Sequence, residues 1–225
     1  MRKVLIFLLV LLLCPGAEAA EGDEPKYIAL TFDDGPSGKF TRRLLEGLEE
    51  RDARATFFLC GYRLKQYPQL SRQILEGGHE IGIHGYSHDD MSVMSRRDIA
   101  RELDDTAVLL PCRVRFIRPP GGLCSDALRQ VAQVRGYSIG LWSLDPRDWA
   151  IQDTAAVGQS ILDRVQDGDV ILMHDMSDSS VTAALNTVSI LQSRGYTFVT
   201  MSELARLRGI RLDPGEKYRR FPQGS

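Results

Sequence analysis

Apolar and polar positions along the chain follow two alternating rhythms. Short runs rich in β-branched and aromatic residues, at 27–32 (YIALTF), 55–59 (ATFFL), 80–83, 115–118, 137–142, 169–173 and 197–200, predict strands. Between them lie longer stretches with helical spacing. Residues 40–51 put Leu44, Leu45 and Leu48 on one face, and 68–76 ends at Gly77-Gly78. A third helix starts at Ser95, with Asp98 at the capping-box position and Ile99, Leu103 and Ala107 inward. Further helices are expected at 125–135, at 153–166 from an Asp153 cap, and at 181–194. The last runs from a Ser202 cap to about residue 208, and the segment after Ile210 reads as loosely ordered. Strand and helix in strict succession, with short connections, predict a parallel sheet with outer helices. An open doubly wound sheet and a closed barrel fit this rhythm equally, and in both the site belongs at the carboxyl ends of the strands.

The first residues break the pattern. Arg2 and Lys3 precede an unbroken apolar run, VLIFLLVLLL, which Cys14-Pro15-Gly16 ends, and Ala17-Glu18-Ala19 reads as a small-x-small cleavage site. The run is shorter than the roughly 20 residues of a membrane-spanning helix. Residues 1–19 are therefore expected to be a cleaved signal peptide, leaving no stable membrane span. Its product is secreted, periplasmic or associated with the cell wall. The expected boundaries are a signal at 1–19, one domain at 26–210, and a tail at 211–225. The 225 residues leave no room for a second substantial domain. A net charge of −2 provides no basic field for nucleic acid, so none is expected as a partner, and a monomer is expected. Cys60, Cys112 and Cys124 form no C-x-x-C pair. Cys60 reads as a small buried hydrophobe, and a Cys112–Cys124 bridge is left open.

Candidate chemistry sits at the predicted strand ends. Thr31-Phe32-Asp33-Asp34-Gly35-Pro36-Ser37 places two adjacent carboxylates in a turn, and His84-Gly85-Tyr86-Ser87-His88 spaces two of the four histidines to meet one metal. Asp34, His84 and His88 make a two-His, one-carboxylate set suited to Zn²⁺ hydrolysis or Fe²⁺ oxygen chemistry. Later strand ends add Arg118 before Pro119-Pro120-Gly121-Gly122, Asp145-Pro146-Arg147-Asp148-Trp149, and His174-Asp175 after Leu172-Met173. An acid, a base, a metal and a leaving-group pocket are what amide hydrolysis needs.

The motifs TFDDGPS, HGYSH, RPPGG, DPRDW and LMHD, in this order, resemble those of the polysaccharide deacetylase (NodB homology) family, carbohydrate esterase family 4. The resemblance implies an α/β fold, a distorted (β/α)7-type barrel in a single domain. It also implies removal of acetyl groups from an N-acetylated glycan, peptidoglycan or chitin-like. The alternatives are an O-acetyl (acetylxylan-type) esterase and a carbohydrate-binding pseudoenzyme. By resemblance Asp34, His84 and His88 are metal ligands, for Zn²⁺ first and Co²⁺, Mn²⁺ or Ni²⁺ as alternatives. Asp33 matches the general base, Arg118 its partner, His174 the general acid and Asp148 the acid's partner. Pro119 and Gly121 would flank the oxyanion, Trp149 and Leu172 would wall the acetyl pocket, and Tyr86 would line the groove or pack. Two positions depart from the pattern. Gly85 lacks a hydroxyl that would brace the metal loop, and Gly121 lacks an aromatic wall. His79 is expected beside the site or at the surface, and Asp175 as a loop cap.

Overall fold

The computed structural model describes residues 24–224; the expected signal at 1–19 lies outside them. The first half of the chain builds β1 (Lys26–Gly35), α1 (Gly38–Glu49), β2 (Ala55–Leu59), α2 (Gly61–Gln66), α3 (Pro68–Glu76) and β3 (Glu80–Ile83). There follow α4 (Arg96–Ala107), β4 (Phe116–Ile117), α5 (Asp126–Arg135), β5 (Ser138–Gly140) and α6 (Thr154–Leu162). The chain closes with β6 (Val170–His174), α7 (Asp178–Ser193), β7 (Tyr196–Phe198), α8 (Met201–Leu207) and β8 (Lys217–Tyr218). Every strand pairing is parallel, in the order β6-β1-β2-β3-β4-β5-β8, with β7 on the first residues of β1.

The sheet curls back on itself, which decides between the two architectures. Beyond β5 the chain bridges Leu144 to Ile171 of β6, with Ser143 N donating to Val170 O (3.0 Å) and Leu172 N to Leu144 O (2.9 Å). The fold is a single-domain, distorted (β/α)7-type barrel. Its strands are apolar throughout because both faces are covered, and all five residues of β2 are buried. Phe32 and Phe57 stack at 5.3 Å between β1 and β2, while α1 buries Leu44 and Leu48 against the same layer. Each such side chain contributes about 1.5–3 kcal/mol when removed from water. No helix among the described residues is long and apolar enough to cross a membrane.

Four local expectations are corrected. α2 was not foreseen; it is a short helix with only Gly61 and Leu64 buried, too short to show a periodic face. The cap of α8 is Thr200 rather than Ser202. Thr200 accepts from Glu203 N (3.2 Å) and Glu203 accepts from Thr200 N (3.0 Å), while the Ser202 hydroxyl donates to Glu80. The segment after Ile210 is ordered, since β8 adds to β5 and Phe221, fully buried, stacks on Tyr218. Phe221 N donates to Gly168 O (2.8 Å), so this segment spans the seam between β5 and β6. The helix expected to reach residue 166 stops at Leu162. Cys112 and Cys124 are unbridged and pack against different apolar clusters, and Cys60 is buried as expected.

Candidate active site

The two adjacent carboxylates face one point because β1 carries an irregularity where they stand. Phe32 pairs with Phe57 and Gly35 with Leu59, so β1 has one residue more than β2 over this stretch. Strict alternation would send neighbouring side chains to opposite faces, and an extra residue resets it. Asp34 takes φ 68°, which completes the turn. Register then brings His174 alongside, since Asp33 on β1 pairs with His174 on β6.

Asp33 is almost wholly buried, and its Oδ1 accepts from Arg118 Nη1 at 2.7 Å. Arg118 is itself inaccessible to solvent, and its fork is held on every side. Nε donates to Gly140 O (2.8 Å), Nη2 to Leu141 O (2.9 Å) and Nη1 also to Thr31 Oγ1 (2.8 Å), over the Phe58 ring at 3.9 Å. Such a rigid fork fixes the carboxylate in direction as well as charge.

Asp34 Oδ1 lies 3.3 Å from His84 Nε2 and 3.0 Å from His88 Nε2, and the ligand atoms of the three residues fall within 4.8 Å of one another. Burial pushes the Asp34 carboxyl up, and the two imidazoles overcome that and hold it well below the usual carboxylate range. His84 Nδ1 is 2.8 Å from Arg118 O, which turns Nε2 toward the cluster. Asp34 Oδ1 is buried without a hydrogen-bond partner. An orphaned carboxylate oxygen facing two imidazole nitrogens is a donor set that fits a divalent cation of borderline softness.

The loop between the two histidines is braced from an unexpected side. Gly85 sits at φ 82°, a conformation that favours glycine, and a Cβ there would meet Met91 at 2.6 Å. In place of a hydroxyl, the Glu102 carboxylate on α4 accepts from Tyr86 N (2.7 Å) and Ser87 N (2.8 Å). Sequence reasoning missed Glu102, because one acid on the polar face of a helix carries no local mark of a distant partner.

On the other flank, His174 Nδ1 lies 2.9 Å from Asp148 Oδ1, and His174 N donates to Asp148 Oδ2 (2.8 Å). Burial alone pushes the His174 imidazole down. The hydrogen bond and charge of Asp148, aided by Asp33 and Asp34, raise it to about 9. Leu172 precedes His174 by two residues on the same strand face and is buried, whereas Trp149 is 61% exposed beside Arg147. Gly122 N donates to Pro119 O (2.9 Å), closing a turn that leaves Gly121 exposed with nothing near the position of its missing side chain. The Tyr86 ring, in the loop after β3, packs against the start of α2, where a Cβ on Gly61 would meet it at 2.2 Å. His79 is buried behind β2, against Phe57, rather than at the surface, and Asp175 is fully buried.

The chain matches the polysaccharide deacetylase family over residues 20–140. It is 37% identical over 191 residues to a peptidoglycan-N-acetylglucosamine deacetylase of Bacillus cereus, covering 81% of this chain and 90% of that one. The chain belongs to the polysaccharide deacetylase family. Among solved structures of the family, the peptidoglycan deacetylase PdaC of Bacillus subtilis superposes with a TM-score of 0.79 at 32% identity, over 83% of this chain and 93% of that one. The present chain spans 39% of the full length of the PdaC relative. A family 4 acetyl xylan esterase of Clostridium thermocellum in complex with a cobalt ion gives a TM-score of 0.81 at 32% identity, over 88% of this chain and all of that one. This polysaccharide deacetylase domain thus shares its fold with relatives named for an N-acetyl and for an O-acetyl substrate.

Proposed function

We propose that the protein is an exported, metal-dependent polysaccharide N-deacetylase. It hydrolyses the acetamide of N-acetylhexosamine units, in peptidoglycan or a chitin-like glycan, to a free amine and acetate. The observation that carries this reading is the placement of Asp33 with Arg118 and His174 with Asp148 on either side of Asp34, His84 and His88. Asp34, His84 and His88 would hold a divalent cation, Zn²⁺ first. Bound there, the ion supplies Lewis acidity toward the acetyl carbonyl and the attacking water. Asp33, fixed by Arg118, takes the proton that water gives up as its oxygen bonds to the carbonyl carbon. His174 then delivers its proton to the nitrogen as the C–N bond breaks, so the amine leaves neutral and the acyl group, still carrying the second water proton, leaves as acetic acid, which ionises to acetate in solution. Asp148 keeps His174 protonated and oriented for that delivery. The Pro119–Gly122 turn offers backbone N–H toward the oxyanion, and Leu172 with Trp149 borders the acetyl group.

Support for an N-acetyl rather than an O-acetyl substrate comes from the Bacillus cereus relative, matched over nine tenths of its length. The residues read as a cleaved signal, 1–19, and a cell-wall substrate agree with action outside the membrane. Acetate release by the purified protein from peptidoglycan, chito-oligomers and acetylxylan tests the reading. N-acetyl substrates should release acetate with matching free amine. Acetate from acetylxylan alone would make the protein an esterase, and glycan binding without acetate a non-catalytic binder.

A further inference from the structure

The carboxyl of Asp175 takes no part in the steps above, yet it is wholly buried and makes no ion pair among the described residues. Its Oδ2 accepts from the Thr41 hydroxyl, whose oxygen accepts from Ser37 N at 2.7 Å, and Ser37 Oγ donates to Asp175 O at 2.5 Å. These bonds tie the end of β6 to the first turn of α1. The other carboxylate oxygen, Oδ1, is buried with no hydrogen-bond partner. It presses instead on the backbone of Gly35, where a Cβ would stand 2.8 Å from it and 3.2 Å from Oδ2.

Register explains why this matters. Asp33 pairs with His174, the last residue of β6, so Asp175 follows directly after the strand, beside the Asp34–Gly35 turn. His174 faces the site, and alternation turns Asp175 to the outer face, toward α1. On that face the extra residue of β1 leaves the Asp34–Gly35 backbone displaced and without a side chain to fill the gap. We propose that Asp175 is a positioning residue for the metal cluster, its carboxyl buttressing the Asp34–Gly35 bulge from behind so that the Asp34 carboxylate stays on His84 and His88. A side chain at 35 would collide with this carboxyl, which lies against Gly35 while accepting from Thr41. The inference rests on the metal reading of Asp34, His84 and His88.

The test is Zn²⁺ affinity, measured by competition with a chromogenic chelator on the full protein without substrate. Asp175→Ala should weaken binding about tenfold or more, the range usual for residues that support metal ligands. Asp175→Asn keeps the shape and an acceptor for Thr41, and should restore near-wild-type affinity. Leu191→Ala, a core change in α7, should lower Tm while leaving affinity unchanged, which separates positioning from general loss of stability. Wild-type affinity in Asp175→Ala, or a loss in Asp175→Asn as large as in Asp175→Ala, overturns the proposal. If Asp175→Ala does not fold, Thr41→Val decides on the same scale, weaker binding supporting the role and unchanged binding overturning it. A wild-type protein that takes up no Zn²⁺ overturns the metal reading itself, and the role of Asp175 with it. That outcome is distinct from wild-type binding that the Asp175 variants leave unchanged.

Discussion

Replacing Asp148 by asparagine removes one charge from the His174 pair while keeping its outline. His174 is raised to about 9 against burial, through a 2.9 Å hydrogen bond to Asp148 and the charges of Asp148, Asp33 and Asp34. A bound divalent cation neutralises the part owed to Asp34, so Asp148 supplies the share that the variant reads. Without that carboxylate, burial is left to act, and the imidazole returns toward its ordinary value of 6.5 or below. A general acid works only while protonated, so activity falls as pH rises through its pKa. At pH 7.5 a histidine near 9 is almost fully protonated, and one near 6.5 is about one-tenth protonated. The expected result is a drop in kcat of about tenfold at pH 7.5, largely recovered on acidification, with the alkaline limb of the pH–rate profile moved down by about 2.5 units. Acetate release measured from pH 5.5 to 10 on one N-acetyl substrate provides the profile. An alkaline limb in Asp148→Asn that coincides with the wild-type limb would refute the assignment of His174 as the acid that Asp148 sustains.

The remaining expectations concern the supports of the site and the fold. His79 accepts from Ala55 N at 3.2 Å, and burial with the nearby Arg54 charge lowers it from 6.5 to about 4. The unfolded chain thus binds this proton first. Stability owed to neutral His79 is complete above pH 6.5 and is lost as pH falls toward 4, by up to about 3 kcal/mol. Urea midpoints of wild type and His79→Gln should converge over that window, and parallel curves would refute it. Glu102→Ala leaves Tyr86 N and Ser87 N without their acceptor, and Zn²⁺ affinity measured by chelator competition should fall about tenfold. Phe221→Ala empties a fully buried position at the β5–β6 seam and should lower stability by about 3–5 kcal/mol in denaturant titrations, where a surface tail would cost almost nothing.

Much of the barrel was legible in the chain because its strands are dense apolar runs bounded by turn residues. β2 and β3 fall where the pattern put them, and the site residues gather because they sit at the carboxyl ends of strands or in the loops that follow. What the pattern could not carry was long-range. The two residues of β8 have no periodicity of their own and become a strand only by pairing with β5, and Phe221 is apolar in a stretch that otherwise reads as polar. Thr200 and Ser202 are both plausible caps in the sequence. The choice falls to Thr200 because Glu203 closes the box while Glu80 takes the Ser202 hydroxyl. Periodicity left the open sheet and the barrel level, and the bridge from Leu144 to Ile171 separates them. The carboxylates at 33 and 34 were visible, but not the strand irregularity that turns both inward, nor the Glu102 and Asp175 carboxyls packed behind the two loops.

In the proposed reaction a cation held by Asp34, His84 and His88 and a base at Asp33 together release acetate from an N-acetylated glycan. The most direct measurement is acetate release from peptidoglycan by the purified protein as isolated, after exhaustive chelation, and after return of one equivalent of Zn²⁺. The same series is run on Asp33→Asn. Chelation should abolish activity in the wild type and Zn²⁺ should restore it, and Asp33→Asn should show no activity at any stage. Turnover that persists through chelation, or that survives in Asp33→Asn, would contradict this proposal.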